Sequence, residues 1–255
     1  MPYRGLGAMP DRYDPRDYIF EAEPRLFAIG AIPPQVDLRN WCSPVRDQGQ
    51  QGSCTGFAIT ALREFLEIKH GTPNPWVELS PAFEYYQERQ LEGHVADCQA
   101  GAWPRDGFKV LKNIGVCPEV DDPYSDQNCP APSGQANTDA TPFRISAYHR
   151  IATLGGLKQA LAGGNGCVLG IQVYESFESP QNGHIPMPQP QAGEQPLGGH
   201  ALFCCGYQDD PQYDGGGILI VKNSWGTDFG DKGYIYLPYA YVRPRLTSDI
   251  WTASV

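Results

Sequence analysis

The stretch "DQGQQGSCTGFAITALREFLEI", Asp47 to Ile68, joins a turn rich in Gly and Gln to the most regular helical pattern of the chain. After Cys54, apolar residues recur at i, i+3 and i+4, and the pair His70–Gly71 is a stop signal. The sequence therefore predicts a helix that begins close to Cys54 and ends before Gly71. Small, turn-forming residues flank the cysteine on both sides, so it does not resemble an ordinary core thiol.

A cysteine at the start of a helix faces unpaired amides and the positive end of the helix dipole. We expect both to lower the pKa of Cys54 below the ordinary value of about 8.5. A thiol nucleophile also needs an imidazole and a group that orients it. Among five histidines, His200 lies in the "GGHA" turn that opens an apolar run, where Gly199 lets a substrate backbone come close. Asn223, at the end of "ILIVKN", is the candidate orienting group.

Two more residues complete this candidate catalytic site. Gln48 precedes Cys54 in the turn, and its side-chain amide and the Cys54 backbone N–H are potential donors to an oxyanion. Trp225 follows Asn223 closely, and we expect its indole to shield the hydrogen bond between His200 and Asn223 from water. The chemistry of these groups requires neither a metal nor a cofactor.

Further helical patterns lie in the first half of the chain, and short β-type runs dominate the second. "LSPAFEYYQERQ" predicts a helix with Ser80 as N-cap and Pro81 in its first turn, and "PRDGFKVLKNIG" predicts another that stops at Gly115. A single short helix is expected near "LGGLKQALAGG", among the strands of the second half. The pattern predicts an α+β fold with an N-terminal arm (1–34), a mainly helical lobe (35–140) and a mainly β lobe (141–255).

Composition limits the partners. A formal charge of −10 argues against a nucleic-acid partner. The sequence contains no run of about 18 apolar residues, so it predicts no membrane span. The first residues do not form a secretory signal. We expect a monomer that acts on a peptide or protein, in the cytoplasm or after leaderless export, or secreted if a leader has been removed.

Four motifs in order, "QGQQGSC", "GGHA", "KNSWG" and "GDKGYIYLP", make the chain resemble the papain-like cysteine peptidases, in particular compact bacterial members. The resemblance runs from about Val36 to the C-terminus. It implies a helical left lobe, an antiparallel β-barrel-like right lobe and an active-site cleft between them. It also implies an endopeptidase that works through an acyl-enzyme. A transpeptidase or ligase with the same residues, or a non-catalytic peptide-binding homologue, remains an alternative.

The resemblance assigns a role to each candidate residue. Cys54 becomes the nucleophile, His200 the general base and acid, Asn223 the orienting residue, Gln48 the oxyanion donor and Trp225 the shield. Ser53 and Gly199 support the site. A final set is assigned to the substrate cleft: Cys98, Gln99, Ala100, Gly101, Ala201 and Phe229.

The chain also departs from the family. Where the family usually has Cys-Gly-Ser-Cys-Trp, this sequence has Gln51 and Thr55 in place of the first Cys and the Trp. Phe229 replaces a second common Trp on the leaving-group side of the cleft. A residue near the C-terminus normally shapes the side-chain pocket, and here Asp249, Ile250 and Trp251 are all candidates.

The arm and the remaining cysteines leave further expectations. The arm is short and mixes aromatic with charged residues, so we expect it to pack along the body, partly block the cleft and hold the protein latent. Cys129 is expected to pair with Cys98 or with Cys117, unless all thiols are reduced. His184 lies in a Pro-rich loop that could border the cleft, although an exposed loop histidine is the simpler interpretation.

Overall fold

The computed structural model describes residues 4–20 and 32–255. Within them it contains five α-helices and seven β-strands. The helices are α1 (Cys54–His70), α2 (Pro81–Glu92), α3 (Pro104–Asn113), α4 (Gly134–Asp139) and α5 (Leu154–Ala162). The strands are β1 (Gln35–Asp37), β2 (Ala147–Arg150), β3 (Cys167–Tyr174), β4 (Pro196–Asp209), β5 (Gly217–Lys222), β6 (Tyr234–Pro238) and β7 (Thr247–Ser254).

Helix α1 is the buried axis of the molecule. It begins at Cys54 and ends where Gly71 adopts a left-handed conformation (φ 64°) and donates its N–H to the Glu67 carbonyl. It packs against α2, α3 and β4, and the rings of Phe65 and Phe203 meet across the interface with β4 at 5.4 Å. The predicted helix after Cys54 is confirmed.

The caps of the next two helices also follow the sequence signals. Ser80 accepts a hydrogen bond from the Phe83 N–H, and Pro81 occupies the first turn of α2. Gly115 has a φ of 92° just after α3, as expected of a glycine that ends a helix.

The strands form one antiparallel sheet in the order β2-β7-β3-β4-β5-β6, and β1 pairs with β4 outside this path. The α+β class is confirmed, but the sheet is open in the described residues, so the expectation of a barrel-like lobe is wrong. Among the strands that the structure describes, the end strands β2 and β6 do not pair with each other. Instead α3 covers the β2–β7 end, where Phe108 contacts Tyr148 and Trp251 with ring centroids 5.7 and 5.9 Å apart.

A buried polar bridge joins the helical part to the sheet. Lys222, at the end of β5, donates to the Ser43 hydroxyl at 2.8 Å, and Ser43 donates to the Glu64 carboxylate of α1. Arg46 pairs with the same carboxylate at 3.1 Å. Because Lys222 immediately precedes Asn223, this bridge fixes the end of β5 relative to the middle of α1.

A disulfide joins Cys98 to Cys129, the first of the two pairings considered from the sequence. Cys117 is buried as a free thiol. The bond ties the loop after α2 to the irregular segment before α4. Across the described part of the chain, the helices are all too short or too polar to cross a bilayer.

Candidate active site

The fold brings the candidate nucleophile and the candidate imidazole together. Cys54 is the first residue of α1, and its sulfur accepts the backbone N–H of Ala201 at 3.3 Å. Ala201 directly follows His200 in β4, and His200 is fully buried. Pairing of His200 with Ile171 in β3 fixes the strand at this point. A helix start and a strand interior, 146 residues apart (200 − 54), therefore meet at one point.

The orientation of the His200 ring follows from its hydrogen bonds. Its Nε2 lies 2.8 Å from Asn223 Oδ1. The N–H of Ser224 donates to the same oxygen at 2.8 Å, which identifies that atom as the acceptor. Nε2 must therefore carry a proton, and in the neutral ring Nδ1 does not. Nδ1 is buried without a hydrogen-bond partner and is free to accept a proton.

Aromatic rings cover the imidazole. Trp225 stacks on His200 with ring centroids 4.7 Å apart and an interplanar angle of 22°. Phe177 contacts Trp225 edge-on at 5.5 Å and lies 6.5 Å from His200. Phe229 packs edge-on against Trp225 at 4.8 Å. Phe177, which no sequence motif identifies, lies in a short 3-10 turn after β3.

Gln48 is held on every side. Its Oε1 accepts the Ser224 hydroxyl at 2.6 Å, and its Nε2 donates to the Gln51 carbonyl at 2.9 Å. Tyr124 donates its hydroxyl to the Gln48 carbonyl at 2.8 Å and lies 2.7 Å from the Ser53 hydroxyl. Ser224 and Tyr124 were not identified from the sequence, although Ser224 lies within the "KNSWG" motif.

Gln51 and Thr55, the two residues that depart from the family motif, form hydrogen bonds of their own. Thr55 donates its hydroxyl to Glu88 Oε2 at 2.5 Å, so a buried carboxylate on α2 replaces the packing of an indole. Burial raises the pKa of Glu88 well above its ordinary value. Gln51 donates its amide to the carbonyls of Ser125 and Asn128 at 3.4 and 3.1 Å, so a hydrogen bond stands where a disulfide is usual.

The predicted cleft residues after α2 form a tight loop that contacts the turn before Cys54. The Tyr85 hydroxyl donates to the Cys98 carbonyl and accepts the Gly101 N–H, both at 3.1 Å. Gln99 accepts the Gly52 N–H at 2.9 Å, and Ala100 donates its backbone N–H to the Asp97 carbonyl at 3.3 Å. These contacts position the next residue, Ala102, which the sequence analysis did not identify.

An arm segment, residues 4–20, lies across this site. The N–H groups of Gly7 and Ala8 both donate to the Gly199 carbonyl, at 2.9 and 3.1 Å. On the other side, Ala102 donates to Gly7 and accepts from Met9, each at 2.9 Å. The arm segment thus runs parallel to Ala102 and fills the cleft between that residue and Gly199. A Cβ atom at Gly199 would collide with the Ala8 carbonyl.

Hydrogen bonds also hold the arm segment on both sides of Gly7 to Met9. Gly5 donates to the Gly49 carbonyl at 2.9 Å and accepts the Trp225 indole N–H at 3.1 Å. Beyond Met9, the Asp11 N–H donates to Asp249 Oδ2 at 3.0 Å, and the Trp251 indole donates to Asp11 Oδ2 at 2.8 Å. Two of the three candidate pocket residues near the C-terminus therefore contact the arm segment through polar atoms.

The closed site holds its thiol and imidazole as neutral groups. Desolvation raises the pKa of Cys54 to about 12, although the backbone N–H groups of Ala201 and Ala8 partly oppose it. Desolvation also lowers the pKa of His200 to about 4. The expected lowering of the thiol pKa is therefore wrong for this state, because burial outweighs the helix dipole.

His184 lies in a stack of aromatic rings. Its ring is parallel to Tyr213 at 5.0 Å and tilted against Tyr236 at 4.8 Å. Its Nδ1 is buried without a partner, so it is more enclosed than the expected exposed loop histidine.

Comparisons with known proteins agree with this geometry. A family model described as papain family cysteine protease matches residues 32–244. A peptidase C1-like protein of Acanthamoeba polyphaga mimivirus is 36% identical over 221 residues, covering 80% of this chain and 68% of that protein. Cysteine proteinase 3 of Entamoeba histolytica is 27% identical over 216 residues, covering 82% of this chain and 64% of that protein.

Among solved structures, xylellain, a cysteine protease from Xylella fastidiosa, superposes with a TM-score of 0.87 at 36% sequence identity. The match covers 100% of this chain and 97% of that one. The fold and these relatives define a cysteine protease, a hydrolase whose class implies a peptide or protein substrate. More narrowly, the chain belongs to the papain family.

Proposed function

We propose that the protein is an endopeptidase in which Cys54, His200 and Asn223 form the catalytic triad and Gln48 donates to the oxyanion. The observation that carries this proposal is the hydrogen bond from the Ala201 N–H to the Cys54 sulfur, at 3.3 Å. It puts the thiol beside Ala201, the residue that follows His200. Among the described residues, the unprotonated Nδ1 of His200 has no hydrogen-bond partner.

The first half of the reaction forms an acyl-enzyme. His200 Nδ1 takes the Cys54 proton, and the thiolate attacks the carbonyl carbon of the scissile peptide bond. The negative charge moves to the carbonyl oxygen, where the Gln48 amide and the Cys54 backbone N–H donate to it. His200 then protonates the leaving nitrogen, the C–N bond breaks, and a thioester remains on Cys54.

The second half restores the enzyme. Water loses a proton to His200 and attacks the thioester carbonyl, and the same donors hold the oxyanion. The C–S bond breaks, the thiolate leaves, and the acid product is released. Asn223 keeps the ring in one orientation throughout, because Nε2 donates to Oδ1 in both protonation states of His200.

The same proposal makes the arm segment a latency device. Gly7, Ala8 and Met9 use the backbone groups of Gly199 and Ala102 that an extended substrate would need. The segment also removes water from Cys54 and His200, which favours their unreactive neutral forms. The Gly5 carbonyl of the segment accepts from Trp225, and the Gly7 carbonyl accepts from Ala102. Neither carbonyl therefore uses Gln48, the proposed oxyanion donor.

Digestion of a peptide library tests the activity. We expect the chain with Gly7→Ala to cut internal peptide bonds, and the same chain with an added Cys54→Ala to cut none. An added amine nucleophile separates hydrolysis from transpeptidation, since a ligase would give mainly amide products. No cleavage by any form with an intact Cys54 would contradict the proposed function.

Latency has its own test in the full chain. Gly7 has a φ of 136°, and a Cβ there would collide with the Gly52 backbone, so Gly7→Ala should displace the arm segment. We expect it to raise activity on peptides at least tenfold, as should a chain that starts at residue 35. Tyr13→Ala, at a side chain that is 88% exposed, is the matched control. Equal activity of all four forms would refute latency.

A further inference from the structure

The arm segment places a cation on an aromatic surface beside the site. The Arg4 guanidinium carbon lies 4.8 Å from the ring centroid of Phe229 and 5.5 Å from that of Trp225. Its Nη1 donates to the Trp225 carbonyl at 3.1 Å. Two aromatic rings and one carbonyl thus contact the charged group.

This surface is rigid. Trp225 and Phe229 pack edge to face at 80°, and Phe177, which is fully buried, contacts both rings at 5.5 and 6.3 Å. A preorganised pair of ring faces binds a cation without the loss of conformational entropy that ordering the two side chains would cost.

The contact selects for charge and shape without an acidic partner. Within residues 4–20 and 32–255, Arg4 forms no ion pair, so the attraction comes from ring faces and a carbonyl. A planar guanidinium can stack on a ring while it donates sideways, whereas an ammonium cannot stack. This arrangement favours Arg over Lys and disfavours Glu.

Arg4 lies on a defined side of the nucleophile. Ala8 is an arm residue whose N–H donates to the Gly199 carbonyl, next to His200. Asp11 lies beyond it, beside Asp249, while Arg4 lies on the opposite side, with Trp225. By the family resemblance, that side holds the leaving group.

We propose that Trp225 and Phe229, with the Trp225 carbonyl, form a subsite that selects an arginine side chain of the substrate on the leaving-group side of the scissile bond. Arg4 occupies this subsite in the closed state and is displaced together with the arm segment. The proposal rests on the proposed function for its substrate, but the subsite itself can be tested without turnover.

The first test measures Cys54 alkylation in the full chain by a small neutral reagent, read by intact mass. Because the arm segment shields the thiol, its labelling rate reports arm displacement. We expect Arg4→Ala to raise the rate about fivefold and Arg4→Gln to raise it nearly as much, with Arg4→Lys intermediate. In a Phe229→Leu background, which keeps an apolar side chain, Arg4→Ala should change the rate less than twofold. An equal effect of Arg4→Ala in both backgrounds would overturn the proposal.

The second test uses quenched peptides with Arg, Lys, Ala or Glu at each of three positions on either side of the scissile bond. With the Gly7→Ala chain, we expect kcat/KM for Arg to exceed that for Ala about five- to tenfold at one leaving-group position. Phe229→Leu should bring this ratio below two. An unchanged ratio, or no preference at any position, would overturn the subsite. If no peptide is cut, the proposed function fails, and the alkylation cycle still tests whether the ring pair binds an arginine side chain, on which the subsite depends.

Discussion

At the scale of the residue, Asn223 determines which nitrogen of the neutral His200 ring carries the proton. Its Oδ1 accepts from both Nε2 and the Ser224 N–H, so the neutral ring keeps Nδ1 unprotonated. The Trp225 ring, 4.7 Å from the His200 ring, keeps this hydrogen bond away from solvent. A hydrogen bond to a charged group is stronger in such a water-free environment than in water.

Replacing Asn223 should therefore lower the rate more than the affinity. For Asn223→Ala in the Gly7→Ala chain, we expect kcat to fall about 10- to 100-fold with little change in KM. A hydrogen bond to a charged group contributes about 1.5–3 kcal/mol, and the charge on His200 develops during the reaction. Steady-state kinetics on a cleaved peptide measure kcat and KM, with Asn165→Ala as a control away from the site. An unchanged kcat would contradict the orienting role.

Local motifs predict Cys54, His200, Asn223 and Gln48 as site residues, but they do not predict the side chains that surround them. Phe177 reaches the site from a short turn with no pattern of its own. The Thr55–Glu88 hydrogen bond joins two helices, so neither partner signals it alone. The thiol pKa was misjudged for a similar reason: the helix dipole is visible in the sequence, whereas burial by a distant segment is not.

At the scale of the element, the position of Cys54 depends on how closely α1 approaches α2. Gly56, two residues after Cys54, faces the first turn of α2. A Cβ there would lie 2.6 Å from the Pro81 carbonyl oxygen and 3.1 Å from the Tyr85 Cβ. Because the nearest atom belongs to the backbone, a side chain could fit only if the helices moved apart.

Gly56→Ala should consequently destabilise the protein despite the better helix propensity of alanine. We expect the free energy of unfolding to fall by about 1–3 kcal/mol, measured by urea denaturation. The control is Gly134→Ala, in the first turn of α4, where a Cβ meets nothing within 4 Å and the change should be neutral or slightly stabilising. Equal stabilities of the two variants would refute the close-packing account.

Elements with strong local signals were predictable, and those that depend on distant partners were not. The periodicity of α1 and the cap at Ser80 identified their helices. Strands β1 and β7 were not predicted. Strand β1 has only three residues and is stabilised by its pairing with β4. Strand β7 is stabilised by its pairing with β2 and β3. Helix α4 lies in a stretch whose Pro, Ser and Asn content predicts a loop. Closure of the sheet was wrongly expected because it depends on long-range packing.

At the scale of the whole molecule, an ionic cluster fastens the arm segment to the sheet. Asp17 binds Arg105 at 2.6 Å and Arg150 at 3.3 Å, and Arg150 binds Asp249 at 2.8 Å. Asp11 lies beside Asp249 and forms no ion pair with any of the described residues. Burial, followed by the charge of Asp249, raises the pKa of Asp11 to about 7, against the weaker effects of Arg105 and Trp251.

This shift makes arm docking depend on pH. The docked state holds a proton on Asp11 that the released state loses near its ordinary pKa of about 4. The contribution of that proton to docking is complete below about pH 4 and is lost as the pH rises to about 7. We expect the alkylation rate of the full chain, divided by that of the Gly7→Ala chain, to rise over this range. In Asp11→Asn the ratio should be nearly flat, and an opposite slope in the parent chain would contradict the account.

The most direct measurement of the central claim is the pH dependence of Cys54 alkylation in the Gly7→Ala chain, with and without His200→Ala. The account predicts one modified thiol, mapped to Cys54, that titrates well below the ordinary value of about 8.5 and loses this acidity in His200→Ala. In the parent chain the pKa of Cys54 should stay near 12. An ordinary thiol pKa in the Gly7→Ala chain, unaffected by His200→Ala, would contradict it.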